Sequence, residues 1–378
     1  MVYFSSSHDL LRDLVRRFVH EDILPYVDTW EQEGLFPRDL YRKAGSLGIL
    51  GVGFGERYGG SDTDLFHTIV VSEELTACGA QGIPAGLGSH MIACPPLLMG
   101  ASEELKQKVL PPVLTGEAVA ALAITEPNAG SDVAGIQTRA ISDGDHYRVN
   151  GAKTFITSGT RADFYTTAVR TGGEGRKGVS LLLIERDTPG FKVAAPLKKM
   201  GWRCSDTAEL SFEDCRVPKS NLIGAENEGF QLIMQNFLAE RLQLAVMAYA
   251  TADLALKDAL AYARTRQAFG APLTANQVIR HKLVDMQSKI DVARAYVYHT
   301  AALIEAGQIA LQQAAIAKNQ AVEICSFVVD QAVQIFGGLG YMEGVRVERL
   351  YRDARLLPIG GGTQEIMKEI IWKTMDRG

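Results

Sequence analysis

The chain has 378 residues, 47% of them apolar, which is enough to fill a substantial core and argues against disorder. Its 39 Lys and Arg stand against 44 Asp and Glu, a net charge of −5, so no basic field marks nucleic acid as a partner. Cys78, Cys94, Cys204, Cys215 and Cys325 are scattered and odd in number, forming neither a CxxC metal knuckle nor a complete disulfide framework; a reducing cytosol fits them best. The opening MVYFSSSHDLLRDLVRRF lacks the uninterrupted apolar stretch of a signal peptide, and no run reaches the ~18 apolar residues of a membrane span. These features predict a soluble cytoplasmic protein, or a mitochondrial-matrix protein if a targeting segment has been removed.

In chain order, apolar periodicity predicts helices over Leu10–Ile23, near Pro37–Leu47 and through Ile69–Ala77, with a loop at residues 51–60 (GVGFGERYGG). A further helical pattern begins around Glu103 and is expected to end near Pro111 and Pro112. This portion, 1–119, reads as an N-terminal helical domain. From Ala120 to about Leu222 the texture changes to short extended runs, AALAIT, HYRVN, FYTTAVR, SLLLIE and AELSFED, which predict a middle β domain over 120–225. No long helices intervene and no Gly-x-Gly-x-x-Gly follows a strand, which excludes a doubly wound dinucleotide fold. After Gly224, helical patterns at roughly 227–266, 276–307, 311–336 and 363–375 predict a C-terminal four-helix-type domain, 226–378. The fold class is therefore α+β, in the order helical, β, helical.

Two local motifs lie in the β portion. In Thr125–Asp132, TEPNAGSD, proline and glycine fix a turn whose amides and hydroxyls suit an anion or a polar ring edge, although an ordinary polar turn reads the same way. In 150–159, NGAKTFITSG, Phe155 and Thr157 fall on one side of an extended strand, as a cofactor wall or as a core Phe and a surface Thr.

Together with MGWRCSDTAELSFEDCRVP (200–218), YARTRQAFG (262–270), QIFGGLGY (334–341) and RLYRDARLLPIGGGTQEIMKE (349–369), these motifs make the sequence closely resemble the acyl-CoA dehydrogenase family. The motifs occur in the family order over the last two-thirds of the chain. The resemblance implies FAD held between domains, an acyl-CoA substrate, an electron-transfer flavoprotein as electron acceptor, and a homodimer or homotetramer. Thr125, Ser131, Phe155 and Thr157 match positions that line the isoalloxazine or the phosphates. Arg266 and Phe269 match residues that reach the FAD of a neighbouring subunit. Gln334, Gly337 and Gly338 match the stretch that receives its adenosine-diphosphate portion, and Thr363 and Gln364, in the 349–369 motif, are assigned to the cofactor as well. A guanidinium at Arg266 suits paired bonds to pyrophosphate, and the glycine pair suits close backbone approach. Alone, the first reads equally as a surface ion pair and the second as a helix cap.

The reaction the resemblance implies removes a proton alpha to a thioester, work for a general base held in an apolar pocket that raises its pKa. Many relatives carry that glutamate in the C-terminal motif, where this chain has Ile359, Gly360, Gly361, Gly362 and Thr363. Gly361 has no side chain to take a proton, but its N–H remains able to bind the thioester carbonyl. In NFLAERLQLAVM, 236–247, Glu240 and Arg241 interrupt an apolar helix. An exposed helix edge or a simple ion pair would explain them locally. The isovaleryl-CoA and long-chain branches, however, take their base from a helix carrying an E-R pair, and they have a small residue at the other position. The expected base is accordingly Glu240, with Arg241, Phe237 and Gly360 at the substrate and Gly360 widening the reacting end for a longer or branched acyl group.

The seven histidines form no HExxH or similar cluster, so no metal site is expected, and His90 and His281 read as ordinary packed or hydrogen-bonding residues. A Walker A loop and a GxSxG elbow are absent. Two other readings stay open: a related flavin oxidase or monooxygenase, and a flavin- or CoA-binding scaffold without turnover.

Overall fold

The computed structural model describes residues 3–376. The first portion is helical: α1 Ser6–Phe18, α2 Val27–Glu33, α3 Asp39–Ser46, α4 Leu65–Thr76, α5 Gly82–Leu87, α6 His90–Ala93, α7 Pro95–Gly100 and α8 Glu103–Leu114. Local chemistry sets the ends of these helices. Ser5 and His8 form a reciprocal capping box on α1, and Asp64 and Ser102 cap α4 and α8 by accepting the N–H of His67 and Leu105. Helix α8 runs through Pro111 and Pro112 to Leu114, beyond the expected stop. Burial of Val113 and Leu114 offsets the two missing donors, and Thr115 closes the turn by donating its hydroxyl to the Pro111 carbonyl.

The middle portion holds β1 Ala120–Ala123, β2 Arg139–Asp143, β3 His146–Thr157, β4 Phe164–Arg170, β5 Val179–Glu185, β6 Phe191–Val193, β7 Thr207–Pro218 and β8 Leu222–Ile223. They form one sheet in the order β6-β7-β3-β2-β4-β5-β8, with β1 pairing parallel to β4. The expected run HYRVN and the extended part of the NGAKTFITSG motif are one long strand, β3, whose pairing with β7 shifts register between Val149 and Gly151 and again between Lys153 and Ile156. The second shift breaks the simple alternation that the sequence implies.

The last portion contains α9 Gly229–Thr265, a small hairpin of β9 Gln267–Ala268 and β10 Ala271–Pro272, then α10 Gln277–Glu305, α11 Leu311–Phe336, α12 Arg346–Ala354 and α13 Gln364–Met375. Along α9 the buried positions include Ala245, Ala248, Ala252, Ala255, Ala259 and Ala263, and α10 and α11 pack against it. Fully buried Val297, Val322 and Val329 each contribute about 1.5–3 kcal/mol to that core. The segment Leu311–Tyr341 has the length and apolarity of a membrane span by composition alone, contrary to the sequence expectation; in the fold α11 packs against α9, α10, α12 and α13.

Helix α12 was not expected from periodicity, because its inward face mixes Val347, Leu350 and Ala354 with the buried charges Arg349 and Asp353. Asp353 joins all three portions. Its two oxygens accept the N–H of Trp202 at 2.6 Å and of Gln81 at 2.9 Å, so an α12 carboxylate ties the first helical portion and the sheet portion to the last. Burial, reinforced by nearby Glu31, pushes its pKa up to about 6.

Candidate active site

Helix α9 carries Glu240 into a half-buried position with Phe237 and Leu244 one turn away on either side. Its Oε2 is shielded from solvent and has no hydrogen-bond partner. Burial pushes this carboxyl above the ordinary range, opposed by the positive charges of Arg241 and Lys318. Arg241 points elsewhere, as consecutive helical residues do: it makes no ion pair with Glu240, its Nε is buried without a partner, and its guanidinium lies 5.7 Å from the Phe237 ring centroid. The local alternative of a Glu240–Arg241 ion pair is therefore not what the fold contains.

The glycine loop after α12 meets this side chain. A Cβ on Gly361 would lie 3.6 Å from Glu240 Oε1 and would collide with Leu244 Cδ1. Gly361 has φ +64, a conformation that glycine adopts freely. The positions expected to carry or lack the base thus converge on one point in space, although 121 residues separate them (361 − 240). The Gly361 N–H has no partner among the described residues. Gly360 differs: a Cβ there meets only Leu356, at 3.7 Å, so this position leaves real room.

Beneath the loop is a group the sequence reading did not single out. Lys318 on α11 is fully buried, and its Nζ donates to the carbonyl of Gly360 at 2.5 Å and to that of Gly362. Burial lowers its pKa to about 8, against the attraction of Glu240. One signal was present in the sequence: a lysine inside the apolar run LQQAAIAKNQAVEI, with Ala314, Ala315, Ala321 and Val322 at the flanking helical positions. Next to it, Asn319 donates to the carbonyl of Gln364, and the Thr363 hydroxyl caps α13 by accepting the N–H of Ile366. Thr363 and Gln364 therefore both help to fix the start of α13.

The two β motifs interlock. Thr154 N–H donates to the Thr125 carbonyl at 2.9 Å, which brings Thr125 beside Phe155 and Thr157. Phe155 has φ +60 at the β3 register shift and is 68% exposed. An aromatic ring held outward on a left-handed backbone, flanked by hydroxyls, is suited to lie against a planar heterocycle. The segment is braced from below: buried Lys153 donates to Glu126 Oε1 at 2.7 Å and to the Ile124 carbonyl, while Glu126 also accepts the N–H of Thr138. Lys153 and Glu126 went unnoticed as a pair because they belong to different motifs. Ser131 is exposed on the same turn region. These residues fit a bound flavin.

Arg266, Phe269, Gln334, Gly337 and Gly338 are not brought to that place. Arg266 ends α9, about 39 Å along the helix from Glu240 at ~1.5 Å per residue. Tyr262 stacks on Phe336 with ring centroids 4.2 Å apart, so the ends of α9 and α11 form a second cluster at the far end of the bundle. There Phe269 is fully exposed, and nothing crowds Gly337 or Gly338.

Among the described residues, the nearest arrangement to a metal site is His8, Asp64 and His67, where Asp64 Oδ1 lies 2.9 Å from His8 Nε2 and 2.7 Å from His67 Nδ1. These are hydrogen-bond separations and account for the group. His90 is buried with both ring nitrogens against carbonyls, of Leu87 and Leu50, and His281 is exposed. The five cysteines are free and buried.

Comparison with known proteins places this architecture. Three family profiles match in sequence: "Acyl-CoA dehydrogenase, N-terminal domain" over residues 5–117, "middle domain" over 121–215 and "C-terminal domain" over 227–375. The mitochondrial long-chain specific acyl-CoA dehydrogenase of Rattus norvegicus is 39% identical over 371 residues, covering 97% of this chain and 86% of that protein. The crystal structure of a probable acyl-CoA dehydrogenase from Mycobacterium abscessus superposes with a TM-score of 0.97 at 51% identity, covering 99% of this chain and 100% of the other. A Bacillus anthracis acyl-CoA dehydrogenase complexed with FAD gives a TM-score of 0.94 at 32% identity, over 99% of this chain and 68% of that one.

Fold and site together define a flavin-dependent oxidoreductase. The chain belongs to the acyl-CoA dehydrogenase family. It is an FAD-dependent enzyme that converts an acyl-CoA thioester to the trans-2-enoyl-CoA.

Proposed function

We propose that Glu240 is the base that removes the α-proton in this dehydrogenation. The observation that carries the reading is the 3.6 Å between Glu240 Oε1 and the place where a Gly361 side chain would begin. A carboxylate on α9 thus reaches the space that a glutamate at 361 would otherwise fill. Its unpartnered Oε2 leaves the group free to accept a proton, and its raised pKa makes the carboxylate a stronger base than one in water. FAD, when bound, supplies the acceptor for the β-hydride.

The chain's own residues do the rest. The unpaired Gly361 N–H donates to the thioester carbonyl and stabilises the charge that develops there as the α-proton leaves. Phe237 and Arg241 wall the acyl site, and the space at Gly360 admits a medium, long or branched acyl chain. Thr125, Ser131, Phe155 and Thr157 hold FAD at its isoalloxazine or its phosphates, and Thr363 and Gln364 also serve the cofactor. Arg266, Phe269, Gln334, Gly337 and Gly338 serve the cofactor of a second copy, because ~39 Å of helix separates Arg266 from its own Glu240. The enzyme is therefore a homodimer or homotetramer, and an electron-transfer flavoprotein reoxidises it.

Glu240→Gln tests the base. The variant keeps its fold and FAD content, while anaerobic flavin bleaching by butyryl-, octanoyl-, palmitoyl- or isovaleryl-CoA slows by about 10²–10⁴-fold. Bleaching at the parent rate would remove Glu240 from the mechanism. The same panel ranks the acyl groups.

A further inference from the structure

We propose that Lys318 is the positioning residue of the proton-abstraction site, holding the glycine loop by two carbonyls while placing its positive charge beside Glu240. The inference deepens the Glu240 reading and rests on it. Lys318 is fully buried and donates to the carbonyls of Gly360 and Gly362, the residues on either side of Gly361.

The geometry of the peptide unit turns this anchoring into a directional effect. In a trans peptide the C=O of one residue and the N–H of the next point in opposite directions. Drawing the Gly360 carbonyl down onto the ammonium therefore turns the Gly361 N–H away from α11, as a donor with no partner among the described residues. The Gly362 carbonyl fixes the other side, so the loop cannot swivel about Gly361 without breaking a charge-assisted bond in a dry site. A run of three glycines has little stiffness of its own, and Lys318 supplies the rigidity that the side chains do not.

The second effect is electrostatic. The charged groups that act on Glu240 are Arg241 on its own helix and Lys318 on α11; those that act on Lys318 are Glu240 and Arg241. The loop from Pro358 to Thr363 brings only neutral residues to the site. Lys318 makes no direct ion pair with the carboxylate, which leaves both Glu240 oxygens free of an ammonium proton. It favours the ionised base without blocking it, a task to which a buried lysine held by carbonyls is suited and a contacting one is not.

The test uses FAD-loaded Lys318→Met, Lys318→Gln and Lys318→Arg, with octanoyl-CoA for anaerobic flavin reduction and trans-2-octenoyl-CoA for the infrared stretch of the bound thioester carbonyl. Lys318→Met is expected to slow reduction by on the order of 10²-fold. It should also move the acid limb of the rate profile to higher pH, and shift the carbonyl stretch toward that of the free thioester. Lys318→Gln keeps a donor without the charge, so its acid limb moves as in the Met variant while more of the carbonyl shift remains. Lys318→Arg restores the limb toward the parent. A Met variant with the parent's limb and carbonyl stretch would overturn the proposal, as would an unchanged limb in the Gln variant if the Met protein does not load FAD. An inactive Glu240→Gln beside an unchanged Lys318→Met sinks this inference alone, whereas an active Glu240→Gln sinks the base reading first.

Discussion

Gly360 and Gly361 are neighbours with opposite tolerances. Gly361→Ala forces an L-residue to φ +64, which costs about 1–2 kcal/mol. The new methyl collides with Leu244 Cδ1, the end of a movable side chain, so Leu244 leaves its preferred rotamer for about 0.5–1.5 kcal/mol more. The sum is about 1.5–3.5 kcal/mol, felt in the loop that carries the free N–H. Gly360→Ala has no positive φ to pay for, and its methyl meets only Leu356 at 3.7 Å, so its stability stays within about 0.5 kcal/mol of the parent. Thermal unfolding of the two holoenzymes, run side by side, should separate them by roughly 2–4 °C, with Gly361→Ala the lower. Anaerobic octanoyl-CoA reduction should fall in Gly361→Ala, because the loop relaxes its strain by turning the N–H out of line. Equal midpoints and equal rates would mean that the loop does not approach Glu240 as described.

Filling the space at Gly360 further, with Gly360→Phe, is expected to reduce turnover of isovaleryl-CoA more than that of butyryl-CoA; parallel losses on both would place the branched group elsewhere. Lys153→Met leaves Glu126 buried without its cation and should cost about 3–5 kcal/mol, read by denaturation, together with loss of FAD from the purified protein. Asp353, held up at about 6, contributes stability that is fully present below the ~3.9 of an unfolded aspartate and is lost as pH rises through 6. Asp353→Asn removes that dependence, and orphaning of the Trp202 or Gln81 N–H costs it about 1–3 kcal/mol at every pH. Subtracting the two proteins' denaturation curves at pH 4, 5 and 7 isolates the group; a parallel pair of pH profiles would refute it.

The sequence by itself determined the order of the three portions, since helical and strand periods are local properties of the side-chain pattern. It also singled out Thr125, Phe155, Thr157, Glu240 and Gly361, because motifs of fixed spacing survive without knowledge of the fold. Helix α12 escaped it because Arg349 and Asp353 are inward charges whose partners, Gly79, Trp202 and Gln81, lie far along the chain, and periodicity counts only apolar residues. Lys318 escaped as a site residue for a related reason: a lysine in an apolar helix does not reveal which carbonyls it will meet.

Tertiary structure alone decided the distances. It set Glu240 Oε1 at 3.6 Å from the empty side-chain position of Gly361 and stood Lys318 beneath the loop. Helix length and packing, which add up over tens of residues, fix those separations, and no local spacing encodes them.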